Sequence, residues 1–186
     1  MAIRARKHHF RDGDNLQTLG MNSEQRSTPE QLLNIAKEQG RQDEDVLHTI
    51  ARIFGIRVEY RPLKTDSSGS LTFNTEEDQW LISINSLHHP KRQRFTFAHE
   101  LAHYFLHRNK THEFADTVFF RADNINSPME YEANNFAGAL LMPKHEFIEY
   151  VRTQSNTIEN VSNHFNVSAM AVKVRADVIR GNSYEY

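Results

Sequence analysis

The sequence predicts an α+β fold, in which a small antiparallel sheet follows two helices and precedes several more. Residues 28–55 and 92–179 carry apolar side chains at the spacing of amphipathic helices. Residues 56–84 instead alternate apolar and polar side chains, as half-buried strands do. Helices and strands are thus segregated along the chain, which is typical of α+β domains rather than of alternating α/β folds.

Two helices are predicted first. Thr28 and Gln31 have the spacing of a capping box, and Gly40 ends the first helix after an apolar stripe. The second helix is expected from about Asp43 to Gly55. Residues 1–27, which precede them, are polar and aperiodic, and we interpret them as a flexible arm.

Three antiparallel strands are predicted next, at residues 56–60, 71–73 and 80–84. The polar turn 75–78 joins the last two as a hairpin. The strands between residues 71 and 85 are expected to offer an edge against which an extended peptide pairs.

Helical patterns then cover residues 92–107, 127–142, 144–152 and 157–179. We predict a main domain at 28–152 and a C-terminal region at 153–186, whose two short helices have helix-turn-helix-like spacing. Residues 157–180 hold Lys173, Arg175 and Arg180 against Glu159 and Asp177, a net charge of +1. This weak charge favours packing or substrate docking over DNA contact.

The composition restricts the class of protein. The chain has 186 residues, of which 38% are hydrophobic and 25% charged, and its net charge is −2. Such a chain forms one domain with a sizeable core and has no overall basic bias towards nucleic acid. The longest apolar run, 136–142, is far shorter than the ~20 residues that cross a bilayer. With no cysteine, any metal must be held by His, Asp or Glu, and we expect a soluble, cytoplasmic protein without membrane contact.

The segment His99-Glu100-Leu101-Ala102-His103 carries the clearest chemical signal. Within a helix, the spacing of four places both imidazoles on one face, where both reach one tetrahedral ion. Glu100 then lies beside the ion, where a carboxylate can take a proton from an attacking water. Two buried histidines flanking a glutamate on a mostly apolar helix would otherwise have no purpose.

The third ligand must come from another segment. His107 continues the row, but it lies about 12 Å along the helix axis from His99 and cannot share an ion with it. The helix after residue 127 offers Glu130, followed by small residues that allow close helix packing, with Asn134 placed to orient an imidazole. Glu130 also has the spacing of a capping box with Ser127, which would leave Glu132 as the ligand.

Two segments resemble the ImmA/IrrE family of zincin-like metallopeptidases. They are RQRFTFAHELAHYFLH at 92–107 and EYEANNFAGALLMP at 130–143. The resemblance implies zinc bound by His99, His103 and Glu130, with Glu100 as the catalytic base. It also implies a substrate, an Xre-like helix-turn-helix repressor or an antitoxin of that type. Ala102 departs from the family, in which glycine is common at this position.

The predicted function is therefore a zinc-dependent endopeptidase that cleaves such a repressor and relieves repression. One alternative is a non-catalytic regulatory or toxin module with a structural zinc, which would need a fourth ligand such as His88, His89, His112 or Glu113. Another is a DNA-binding regulator that uses residues 157–179 and the basic arm. Beyond the metal, an oxyanion donor is undetermined among Tyr104, Tyr131 and His112.

Overall fold

The structure, a computed structural model, describes residues 27–64, 66–110, 113–116 and 128–181, with the backbone alone at 113–116. The described chain is of the α+β class, as predicted, and its division at residue 153 stays a prediction. Of the expected arm, only residue 27 is described. The elements are α1 (Pro29–Gln39), α2 (Val46–Ile53), β1 (Arg57–Arg61), β2 (Gly69–Asn74), β3 (Gln79–Asn85), α3 (Pro90–His107), β4 (Glu113–Asp116), α4 (Pro128–Leu141), α5 (Lys144–Thr153), α6 (Ile158–His164) and α7 (Ala169–Gly181).

Helix α1 begins with the predicted capping box. The Gln31 backbone N–H donates to Thr28 Oγ1 at 3.3 Å, and the Thr28 backbone N–H donates to Gln31 Oε1 at 2.9 Å. Helix α2 begins three residues later than expected, at Val46, with Asp45 as its N-cap. The reason is Asp43, whose φ of +61° lies outside the helical region.

The sheet is mixed rather than purely antiparallel. Its strand order is β1-β3-β2-β4, with β3 parallel to β1 and antiparallel to β2. The predicted hairpin is present, with β2 antiparallel to β3. However, β3 lies between β1 and β2, so both of its edges are hydrogen-bonded, and most of its residues are buried.

The prediction that the strands between residues 71 and 85 offer a free edge to a peptide substrate is also wrong. Strand β3 is central, and β2 pairs with β4 over Gly69–Thr72 on its other side. In the described sheet, the outer edges therefore belong to β1 and β4.

Helix α3 is the centre of the molecule. Every residue from Phe95 to His107 is buried, so the helix is covered on all sides rather than on one stripe. It packs across β2 and β3 on one side and along α4 on the other. At the contact between the two helices, Ala98, Ala102, Ala133 and Ala137 are fully buried. Their small side chains bring the axes close, which positions polar groups on the two helices against each other.

The C-terminal helices α6 and α7 share the main core. Val161, Phe165, Val167 and Val172 are buried in the same apolar cluster as the residues of α3 and α4. The turn between the two helices places Asn166 at a φ of +51°.

Polar contacts fasten the same two helices to the rest of the chain. Lys91 Nζ, near the start of α3, donates to Ser162 Oγ at 2.9 Å and to Asn163 Oδ1 at 2.7 Å. Arg175, on α7, donates from Nε to the Met142 carbonyl at 3.0 Å. Across the described ranges, none of the helices has the length and apolar content that a bilayer crossing requires.

Candidate metal centre

Three predicted side chains meet between α3 and α4. His99 and His103 face α4 one turn apart, with their Nε2 atoms 2.9 Å from each other. Glu130, on α4, places Oε2 3.2 Å from His99 Nε2 and Oε1 3.3 Å from His103 Nε2. One candidate ligand atom from each of the three lies within 4.8 Å of the other two. This is a set of two nitrogens and one oxygen around one point, which suits a divalent metal ion.

The structure distinguishes between the two glutamates proposed as the third metal ligand. Glu130 contacts both histidines, whereas Glu132 lies 3.0 Å from His107. Burial alone would raise the pKa of the Glu130 carboxyl, but hydrogen bonds from His103 and His99 outweigh it and hold that pKa well below its usual range. Glu130 is therefore a carboxylate at neutral pH, the form that binds cations. Its proposed capping partner Ser127 lies outside the described residues.

Glu100 lies on the face of α3 that meets the sheet. It is fully buried, and its carboxylate approaches strand β2 at Gly69. A Cβ atom at residue 69 would lie 2.8 Å from Glu100 Oε1, 2.5 Å from Thr96 Cγ2 and 3.0 Å from the Ser83 carbonyl oxygen. Only glycine leaves room for the strand and this carboxylate together.

Asn134 holds the outer nitrogen of one histidine, as predicted from its position one turn after Glu130. Asn134 Oδ1 lies 3.1 Å from His99 Nδ1. An amide oxygen can only accept, so His99 donates from Nδ1 to Asn134, which leaves Nε2 as the nitrogen that a cation would take.

The sequence reasoning missed the partner of the second histidine. His103 Nδ1 lies 3.0 Å from His107 Nδ1, and His107 Nε2 lies 3.0 Å from Glu132 Oε2. Burial lowers the pKa of His107, although the hydrogen bond to Glu132 opposes the shift. The spacing of four between His103 and His107 was the available signal. It served only to exclude His107 as a ligand, and His107 is indeed not among the three.

Other candidate residues lie away from this point or outside the description. Tyr104 packs in an aromatic cluster, with ring centroids 5.9 Å from Trp80 and 6.4 Å from Phe54. Tyr131 is partly exposed beside Glu130. Among the side chains that the structure describes, neither His88 nor His89 joins the cluster. His112 and the side chain of residue 113 lie outside the described residues.

The geometry is matched by a comparison with known families. Residues 51–177, the greater part of the chain, match the peptidase family M78, described as the IrrE N-terminal-like domain. The chain belongs to this family. The matched range includes every residue of the His99–His103–Glu130 cluster together with Glu100.

Individual relatives agree with the M78 assignment. The chain is 32% identical over 124 residues to "Metallopeptidase ImmA" of Bacillus subtilis (strain 168), which covers 63% of this chain and 69% of that protein. Among solved structures, it resembles a "Mycobacterium tuberculosis transcriptional regulator" with a TM-score of 0.51 and 16% identity, over 87% of this chain. The chain spans about half (49%) of that regulator, and at this identity the likeness concerns the fold.

Proposed function

We propose that this M78 protein is a zinc-dependent endopeptidase with His99, His103 and Glu130 as ligands and Glu100 as general base. The observation that carries the proposal is the convergence of two imidazole nitrogens and one carboxylate on one point, with a buried glutamate next to one of the histidines in the helix. Two fully buried histidines against a partly buried glutamate have little structural value without a cation, since they bring polar groups out of water.

The donor set fits zinc. Imidazole nitrogen with one carboxylate oxygen is typical of catalytic zinc, which keeps its fourth position for water or substrate, whereas calcium and magnesium prefer oxygen alone. When bound, zinc would lower the pKa of a water molecule and polarise the carbonyl of the scissile peptide bond.

The residues of the chain would then orient the reactants and move one proton. Glu100 accepts the proton of the attacking water and passes it to the nitrogen of the leaving amine, so the carboxylate is regenerated after each cleavage. Glu100 can do so because the helix sets it one residue from His99, while the narrow space at Gly69 keeps its carboxylate in place.

The proposed substrate is a helix-turn-helix repressor or antitoxin, cut once so that repression ends. The family resemblance of the two motif segments supports this class, and the similarity to "Metallopeptidase ImmA" supports the peptidase activity. A cytoplasmic location stays a prediction that is consistent with such a substrate.

The test is to incubate the zinc-loaded protein with the helix-turn-helix protein encoded beside it. Mass spectrometry should find a single new terminus with the wild type. Glu100→Gln should retain zinc but slow cleavage by about 10²–10⁴-fold, the usual contribution of a general base. Cleavage by this variant at the wild-type rate would refute the role of Glu100, and absence of zinc binding in the wild type would refute the site.

The alternative functions have less support. A structural zinc needs a fourth protein ligand, and the described side chains supply three around this point. A DNA-binding role would use the basic residues of α7, but Arg175 is 4% exposed and bonds to the Met142 carbonyl. This leaves Lys173 and Arg180 against Asp177 on its accessible face, too little charge for a phosphate-binding surface.

A further inference from the structure

His107 and Glu132 form a continuous hydrogen-bonded chain with His103. The four atoms that connect them are His103 Nδ1, His107 Nδ1, His107 Nε2 and Glu132 Oε2, and both contacts measure 3.0 Å. His103 and His107 lie one turn apart on α3, and both are fully buried. Glu132 reaches them from α4 with its side chain 36% exposed, so the outer end of the chain meets solvent.

With a cation on His103 Nε2, the chain has one consistent proton arrangement. A carboxylate oxygen only accepts, so Glu132 requires the proton of a neutral His107 on Nε2. Nδ1 of His107 is then an acceptor, and the facing Nδ1 of His103 must be the donor. A cation on His103 Nε2 requires the same arrangement, because that nitrogen then carries no hydrogen and Nδ1 does. When a cation is bound, the hydrogen bonds therefore run from His103 Nδ1 through His107 to Glu132.

We propose that His107 and Glu132 are positioning residues that fix His103 in its Nδ1-protonated tautomer, with Nε2 directed at the metal point. This inference rests on the proposed zinc function and extends it to two residues that do not touch the ion. Asn134 performs the same task for His99 with a single amide. The two histidines thus have different hydrogen-bond partners. His99 contacts one amide, whereas His103 contacts a second imidazole that in turn contacts a carboxylate.

The test measures zinc affinity by competition with a chromophoric chelator, in the protein alone and without substrate. His107→Leu should raise the zinc Kd by about 10–100-fold, the usual effect of losing a residue that orients a ligand. Glu132→Gln should raise it by a smaller factor, because an amide can still present an oxygen to His107 Nε2. Glu132→Gln also leaves the size of a partly exposed side chain unchanged. This variant should therefore fold even if His107→Leu does not.

The chain offers a matched control in a second histidine–glutamate pair. His145 and Glu149 lie on α5 with their side chains 92% and 64% exposed. His145→Leu and Glu149→Gln make the same chemical changes away from the site and should leave the zinc Kd unchanged.

A spectroscopic readout separates positioning from packing. Nitrogen-15 NMR of the zinc-loaded wild type should show His103 protonated on Nδ1 and His107 on Nε2, and Glu132→Gln should weaken the preference for Nε2 in His107. Wild-type zinc affinity in both His107→Leu and Glu132→Gln, or a proton on His107 Nδ1, would overturn the proposal. If the wild type binds no zinc, the proposed function itself fails. If it binds zinc and the proton of His107 lies on Nδ1, only the role of His107 and Glu132 fails.

Discussion

The helix pair α3–α4 and the helix pair α6–α7 use buried polar side chains differently. Between α3 and α4, the polar groups face one another across the helix contact, with His99 and His103 fully buried. At the C-terminal pair, the contacts of Lys91 with α6 and of Arg175 on α7 instead join a helix to a neighbouring element. The first arrangement is compatible with a bound metal ion, and the second fastens one part of the chain to another.

Substitutions in the two helix pairs should therefore have different effects. Substitutions within the α3–α4 contact should alter metal affinity and catalysis, because those side chains are arranged around a point where a cation fits. Substitutions at the attachments of α6–α7 should alter the free energy of unfolding and leave the zinc Kd unchanged.

The largest effect is expected from Glu130→Ala. Loss of an oxygen ligand should raise the zinc Kd by more than about 100-fold, since outer partners of a ligand alone contribute 10–100-fold. Chelator competition measures the change. Glu146→Ala, on the exposed face of α5, is the control and should bind zinc as the wild type does. An unchanged Kd in Glu130→Ala would show that another group completes the site, and the comparison between the helix pairs would lose its basis.

Gly69→Ala should damage both stability and activity. The added Cβ would collide with Glu100 Oε1 at 2.8 Å and with the Ser83 carbonyl oxygen at 3.0 Å, and backbone atoms do not move aside easily. Forcing an atom into such a packed site costs about 3 kcal/mol of unfolding free energy. Urea unfolding of the metal-free protein measures it, and the displaced Glu100 should also slow cleavage.

Gly138→Ala is the matched control for this change. Its Cβ would lie 3.6 Å from Arg175 Cδ, an ordinary contact, and alanine is favoured over glycine within a helix. We expect Gly138→Ala to be neutral or slightly stabilising. Equal stabilities of the two alanine variants would contradict the close approach at Gly69.

The sequence predicted those parts of the site that depend on spacing within one helix. His99 and His103 face α4 because they are four residues apart, and Asn134 reaches His99 because it follows Glu130 by one turn. The chain from His107 to Glu132 was missed because it depends on how α3 and α4 are aligned along their axes. The spacing of residues within one helix does not specify how the two helices are aligned.

The strand order was missed for a similar reason. Alternation of apolar and polar side chains predicts a strand and its buried face, but it does not specify which neighbour the strand pairs with. The hairpin β2–β3 was predictable because its turn is local. The position of β3 between β1 and β2 is fixed by long-range contacts, among them those of Asn85. Its amide donates to the carbonyls of Lys64 and Ser67 and so holds the connection from β1 to β2.

Arg175→Met should have the smallest effect and test the C-terminal side of the comparison. The Met142 carbonyl at the end of α4 would lose a charged donor at 3.0 Å, and methionine fills a similar volume without replacing it. Loss of such a buried hydrogen bond costs about 2 kcal/mol, which urea unfolding measures. Arg180→Met on the same helix is the control, because Arg180 is 80% exposed and should change stability by less than about 0.5 kcal/mol. Zinc affinity should be unchanged in both variants, because neither arginine is near the ligands. A zinc Kd that rose in Arg175→Met would mean that α7 sets the position of Glu130 through the far end of α4, and the two helix pairs would then act as one unit.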